Sequence, residues 1–77
     1  MPNIFTHDYE VFRQRLVQAR EDAGLKQADV GEALGKPQSY ISKCERGERR
    51  LDAIELAQLA KLYDKPISFF IGHVEIE

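Results

Sequence analysis

The sequence has no tryptophan, a single cysteine and only three prolines in 77 residues, and it carries no apolar run long enough to cross a bilayer. One cysteine cannot close an internal disulfide, and no N-terminal basic and apolar run resembles a signal peptide. The expected compartment is therefore the cytoplasm, with no membrane partner. An excess of positive charge is missing too: 11 Lys and Arg stand against 13 Asp and Glu, a formal net charge of −2. Taken as a whole, that balance argues against phosphate binding, which draws on Lys and Arg. Internal repeats, linkers and low-complexity tracts are absent. No Ser/His/Asp set, phosphate-cradling glycine loop or carboxylate pair stands in supporting context, so neither an enzyme nor a cofactor is expected.

What is present fits a small globule. Hydrophobic residues make up 43% and charged residues 31% of the chain, an ordinary soluble composition. A chain of this length is expected to form one domain over residues 1–77, burying roughly 60% of its unfolded surface around a small core. With no room for a second ligand-binding domain, any switch is expected to come from concentration, a partner or a modification. The charge is also unevenly spread. Lys43, Arg46, Arg49 and Arg50 fall within eight residues, with Glu45 and Glu48 among them, while Asp8, Glu10, Glu75 and Glu77 lie near the ends.

Periodicity predicts five helices and an all-α fold. After a lead-in over residues 1–7, with Thr6 or Asp8 available as a cap, Tyr9, Phe12, Leu16, Ala19 and Ala23 repeat at helical spacing over residues 8–23, and Gly24 ends the helix. Arg20 lies on that apolar stripe and calls for a partner. The second helix, residues 27–34, turns Val30 and Leu34 inward and closes at Gly35. Gly31 inside it costs about 1 kcal/mol relative to Ala and predicts that another backbone packs there. Pro37 opens a third helix over residues 37–45, which Gly47 ends. Asp52 and Glu55 form a capping-box pattern at the start of a fourth helix, residues 52–63. Leu56, Leu59, Ala60 and Tyr63 make its stripe, with Ile54 and Leu62 on the flanks. Pro66 opens a last short helix with Ile67, Phe69, Phe70 and Ile71, and Gly72 ends it.

The third helix is the chemically distinctive one. Gln38, Ser39, Ser42, Lys43 and Arg46 share one side, while Ile41, Cys44 and the carboxylate of Glu45 share the other. The polar side holds the residue types that read base edges in the major groove, with Gln suited to adenine, Lys to guanine and Ser to either. A solvated helix face is the plainer alternative, and the flanking sequence argues against it.

The run Gly24-Leu25-Lys26-Gln27-Ala28-Asp29-Val30-Gly31-Glu32-Ala33-Leu34-Gly35-Lys36-Pro37-Gln38-Ser39-Tyr40-Ile41-Ser42-Lys43-Cys44-Glu45-Arg46-Gly47 resembles the Cro/repressor-type helix-turn-helix family, also called the xenobiotic-response-element family. The resemblance covers about residues 10–72. It implies a lambda-repressor-like five-helix domain whose second and third helices form the helix-turn-helix, with double-stranded DNA as partner. Position by position, it implies that Gln27 caps onto a DNA phosphate. It further implies that Gln38 and Ser39, then Ser42 and Lys43, read bases, and that Tyr40, Arg46, Arg49 and Arg50 touch phosphate. Arg20 and Glu45 match a buried ion pair tying the first helix to the third. The chain departs from the family in having Gly31 where Ala is usual, Cys44 where a larger aliphatic is common, and Asp64 where Gly or Asn is frequent. Cys44 is read as a small buried hydrophobe in preference to a redox sensor.

His73, Glu75 and Glu77 would share one side of a short terminal strand, where a metal is conceivable, but such a tail reads as solvent-facing and no metal is expected. Val74 and Ile76 continue the apolar run of Phe69, Phe70 and Ile71. That surface either folds back on the core or forms a homodimer interface. The expectation is thus a dimeric transcriptional repressor reading a near-palindromic operator, with two recognition helices about 34 Å apart. The rival is an antitoxin-like module whose apolar C-terminal surface binds a partner protein.

Overall fold

A computed structural model describes residues 6–75. Helix α1, Thr6–Asp22, sets Phe12, Leu16 and Ala19 into the core at spacings of four and three. The chain is helical at Thr6 and His7, so the lead-in expected through His7 is too long by these two residues. At the other end Ala23 is exposed and not on the buried stripe. The chain leaves the helix at Asp22, and Gly24 turns it in the left-handed conformation at φ +72°.

Helices α2, Gln27–Leu34, and α3, Gln38–Arg46, are packed against each other through a tight turn. Gly35 caps α2 in the left-handed region, and the Lys36 N–H returns to the Gly31 carbonyl at 2.8 Å. The turn lies so close on α2 that a Cβ on Gly31 would stand 2.6 Å from the Lys36 carbonyl oxygen and 3.3 Å from the Gln38 nitrogen. Glycine at this position lets the two helices approach. Pro37, expected as the first residue of α3, is its extended N-cap.

Helix α4, Ala53–Tyr63, starts behind a reciprocal cap. The Glu55 N–H donates to Asp52 Oδ1 at 2.7 Å, and the Asp52 N–H donates to Glu55 Oε1 at 3.0 Å. Helix α5, Ile67–Ile71, follows Pro66 and plugs the core with Phe70. The core is Phe12, Leu16, Ala19, Val30, Ile41, Leu59, Ala60, Tyr63 and Phe70, drawn from every helix. After α5 the chain forms a turn, so the strand expected at His73 and Glu75 is not formed among the described residues. The His73 ring instead donates from Nε2 to the Asp8 carbonyl at 2.8 Å, which ties the chain end to the first turn of α1. Glu75 is exposed, and Ile76 and Glu77 lie outside the described residues.

Candidate nucleic-acid interface

One side of α3 is buried and fixes the orientation of the other. Ile41 and Cys44 are each 2% exposed, and burial pushes the Cys44 thiol pKa up, which keeps it protonated and inert. On the same inner side, Glu45 meets Arg20 of α1 in a two-pronged pair. Arg20 Nε donates to Oε2 at 2.7 Å and Nη2 to Oε1 at 3.1 Å. Arg20 also reaches the Leu25 carbonyl from Nη1 at 3.0 Å. This hydrogen bonding to Glu45 raises the Arg20 pKa further above its ordinary value. Charge-assisted bonds of this geometry are directional, so they set the axial position and rotation of α3 on α1.

The opposite side presents Gln38, Ser39 and Lys43 to solvent, with Ser42 half-buried between them. The Ser42 hydroxyl accepts from Arg46 Nη1, and Arg46 is also paired with Glu48 at the end of the helix. Gln38 Nε2 points to Gln27 Oε1 at 3.5 Å, while Gln27 Nε2 donates to Glu45 Oε1 at 2.9 Å. A continuous polar chain thus runs from Arg20 through Glu45 and Gln27 to Gln38, the first exposed residue of α3. The Gln27 amide nitrogen is thus engaged inward.

Tyr40 and the loop after α3 are also engaged. The Tyr40 hydroxyl donates to Glu55 Oε2. Arg49 spans the same carboxylate from Nη1 to Oε1 at 3.3 Å and from Nη2 to Oε2 at 3.1 Å. Its guanidinium lies 4.3 Å from the Tyr40 ring centroid, and Lys36 Nζ stands 5.3 Å from that ring. The Asp52 N–H first, then Tyr40 and Arg49, bring the Glu55 carboxyl down from 4.5 to about 2. Burial, aided by Glu55, pushes the Tyr40 phenol up to about 12. Arg50 turns the other way, its guanidinium 4.3 Å from the Tyr9 ring centroid.

Two residues not expected at the interface, Glu55 and Arg13, help to shape this surface. Glu55 was read only as a cap; a carboxylate at the third position of a helix just after a basic loop was the available signal. Arg13 donates from Nη1 to the Glu45 carbonyl at 3.3 Å, and Gly47, in the left-handed conformation at φ +78°, leaves space for it. A Cβ at Gly47 would stand 2.7 Å from Arg13 Cδ. No sequence pattern links those positions.

The expected dimer residues divide. Phe70 is fully buried at 0% exposure and has no surface to offer a partner. Phe69 is half-buried, with Arg15 5.1 Å and Lys65 4.7 Å from its ring centroid. Ile71 is 42% exposed and Val74 half-buried. Both line a cleft of about 570 Å³ together with Leu51, Leu56 and Phe12. Among the described residues, no group of three His, Cys, Asp or Glu is arranged to hold a metal, and no helix is long and apolar enough to cross a membrane.

A family model described as helix-turn-helix matches residues 16–70. Neither the curated proteins nor the solved structures contain a match to this chain.

Proposed function

The chain belongs to the Cro/repressor-type helix-turn-helix family of DNA-binding proteins, and from that premise we propose that it is a homodimeric repressor that reads a near-palindromic operator through the major groove. The observation that carries this reading is the outer face of α3. Gln38, Ser39 and Lys43 are exposed there with Ser42 beside them and no apolar side chain among them, on a helix whose inner face is pinned by Arg20 and Glu45. Those four side chains read bases. Gln27, Tyr40, Arg46, Arg49 and Arg50 hold phosphates and set the register. A nine-residue helix is about 13 Å long, enough for about four base pairs. So short a site recurs throughout any genome, and a useful operator needs a second copy of the helix.

Selection of random duplexes by the purified protein at near-physiological salt tests this directly. The expected product is a near-palindrome with half-sites about one helical turn apart. Enrichment of no sequence, with binding that vanishes as salt rises, would sink the reading. Against the selected site, Gln38→Ala is expected to cost about 1–3 kcal/mol at one base pair of each half-site and to relax preference there. Uniform weakening on every sequence would instead make Gln38 a phosphate contact.

A further inference from the structure

The geometry points to Glu55 as an internal stand-in for a DNA phosphate: its carboxylate holds Tyr40 and Arg49 in the free protein, so that DNA must displace it and sequence-independent affinity is held down. This rests on the phosphate roles proposed above for Tyr40 and Arg49.

The donors that converge on Glu55 are those of an anion cradle. Oε2 accepts from the Tyr40 hydroxyl and from Arg49 Nη2 at 3.1 Å. Oε1 accepts from Arg49 Nη1 at 3.3 Å and from the Asp52 N–H, at the start of α4, at 3.0 Å. A guanidinium fork, a phenol and a helix-terminal amide would serve a phosphate oxygen equally well. Capping needs only the Asp52 bond to Oε1. The other three bonds add nothing to the cap and tie up side chains at the edge of the reading face. The pair also carries no net charge, so Arg49 contributes little to the long-range pull of the protein on DNA while it is held. With Arg46 paired to Glu48 in the same way, two of the four cations in the basic segment are neutralised internally. Base contacts from α3 do not involve Glu55. Its charge therefore weakens binding to all duplexes alike and limits the time the protein spends on DNA that lacks the operator.

Glu55→Gln separates the two roles: the glutamine oxygen in the place of Oε1 still accepts the Asp52 N–H and caps α4, the amide nitrogen in the place of Oε2 can donate to the Tyr40 hydroxyl oxygen, and the negative charge that holds Arg49 is gone. Binding to the selected operator and to an unrelated duplex is measured across a range of salt for the wild type, Glu55→Gln, Arg49→Ala and the double variant. The expected result is roughly tenfold tighter binding of Glu55→Gln to both duplexes near 0.1 M salt, with a log–log salt slope steeper by about one. The gain should disappear when Arg49 is also replaced. In the wild type, the guanidinium NMR signals of Arg49 should shift on titration with duplex, a readout that does not depend on any variant folding. Unchanged or weaker binding by folded Glu55→Gln, a gain that survives Arg49→Ala, or an Arg49 signal that stays in place would each overturn the proposal. Absence of operator binding by the wild type would instead overturn the function proposed above, and this inference with it.

Discussion

Glu45 accepts from three side-chain donors, two on Arg20 and the amide of Gln27, while its own backbone carbonyl takes a fourth from Arg13. The Glu45 side chain is 7% exposed and that of Arg20 14%, so both have little water to fall back on. Glu45→Ala would leave the half-buried Arg20 charged with only the Leu25 carbonyl to accept from it, and the expected loss is about 3 kcal/mol in urea unfolding, the low end for breaking a buried pair. Operator affinity measured on the folded fraction should fall less steeply, since Glu45 lies on the inner side of α3, opposite the face proposed to read DNA. A large loss of affinity with unchanged unfolding would put Glu45 in the interface. Glu55 makes the complementary prediction for pH. Its carboxyl is held at about 2 in the folded protein against an ordinary 4.5, so the unfolded chain binds the extra proton first. The stability it contributes is complete above pH 4.5 and is lost as the pH falls through about 2. Urea midpoints at pH 6 and pH 3 should therefore differ more for the wild type than for Glu55→Gln. Equal differences would show that other carboxylates account for the acid limb.

At the level of helices, the ends are governed by a few punctuating residues, and there the sequence was most informative. Glycines at 24 and 35 bracket α2, whose bounds the structure reproduces. The reciprocal Asp52–Glu55 cap sits where the spacing predicted it. Gly31 was legible because a glycine in a helix interior is unfavourable unless something needs the space, and the turn carbonyl at 2.6 Å from its would-be Cβ supplies the reason. Short or terminal segments were less legible. With five residues, α5 has no resolvable phase, so nothing in the pattern distinguished the buried Phe70 from the half-buried Phe69. The site itself was readable on α3, where one short helix carries both the polar face and its buried back. The Glu55 cluster was not, because Tyr40 is 15 residues away from it and only the packed fold brings them together. Asp64 offers a test at this scale. It is the one non-glycine residue at positive φ among the described residues, at +56°, and it places a negative charge at the C-terminal end of α4. Asparagine tolerates the left-handed conformation and removes the unfavourable charge–dipole interaction. Asp64→Asn should add about 0.5–1 kcal/mol, a rise of roughly 2–8 °C in Tm for a domain of this size. A lower Tm would mean that the Asp64 carboxylate has a stabilising role of its own.

For the whole molecule, the proposed dimer requires a body of 36 × 26 × 20 Å to present two copies of α3 about one turn of DNA apart. A two-fold axis places the same surface on both copies, so the contact must be self-complementary and must leave α3 uncovered. Helix α5 offers such a surface. Ile67 and Ile71 are one helical turn apart on its outer side, 39% and 42% exposed, and Val74 continues the apolar strip beside the cleft lined by Leu51 and Leu56. Phe70, on the inner side of the same helix, anchors the strip to the core, so a charge placed on the outer side need not disturb the fold. Ile71→Asp is accordingly expected to keep its helical circular dichroism and to melt within a few degrees of the wild type, while sedimenting as a monomer at micromolar concentration. Binding to the full operator should fall by at least a hundredfold, because the second half-site no longer profits from being tethered to the first. Binding to an isolated half-site should stay as weak as before. The pattern across the two DNAs is what identifies the interface. If Ile71→Asp remains dimeric and binds the full operator as the wild type does, the two copies meet elsewhere, and the exposed Ile54 at the start of α4, at 68%, is the next position to charge.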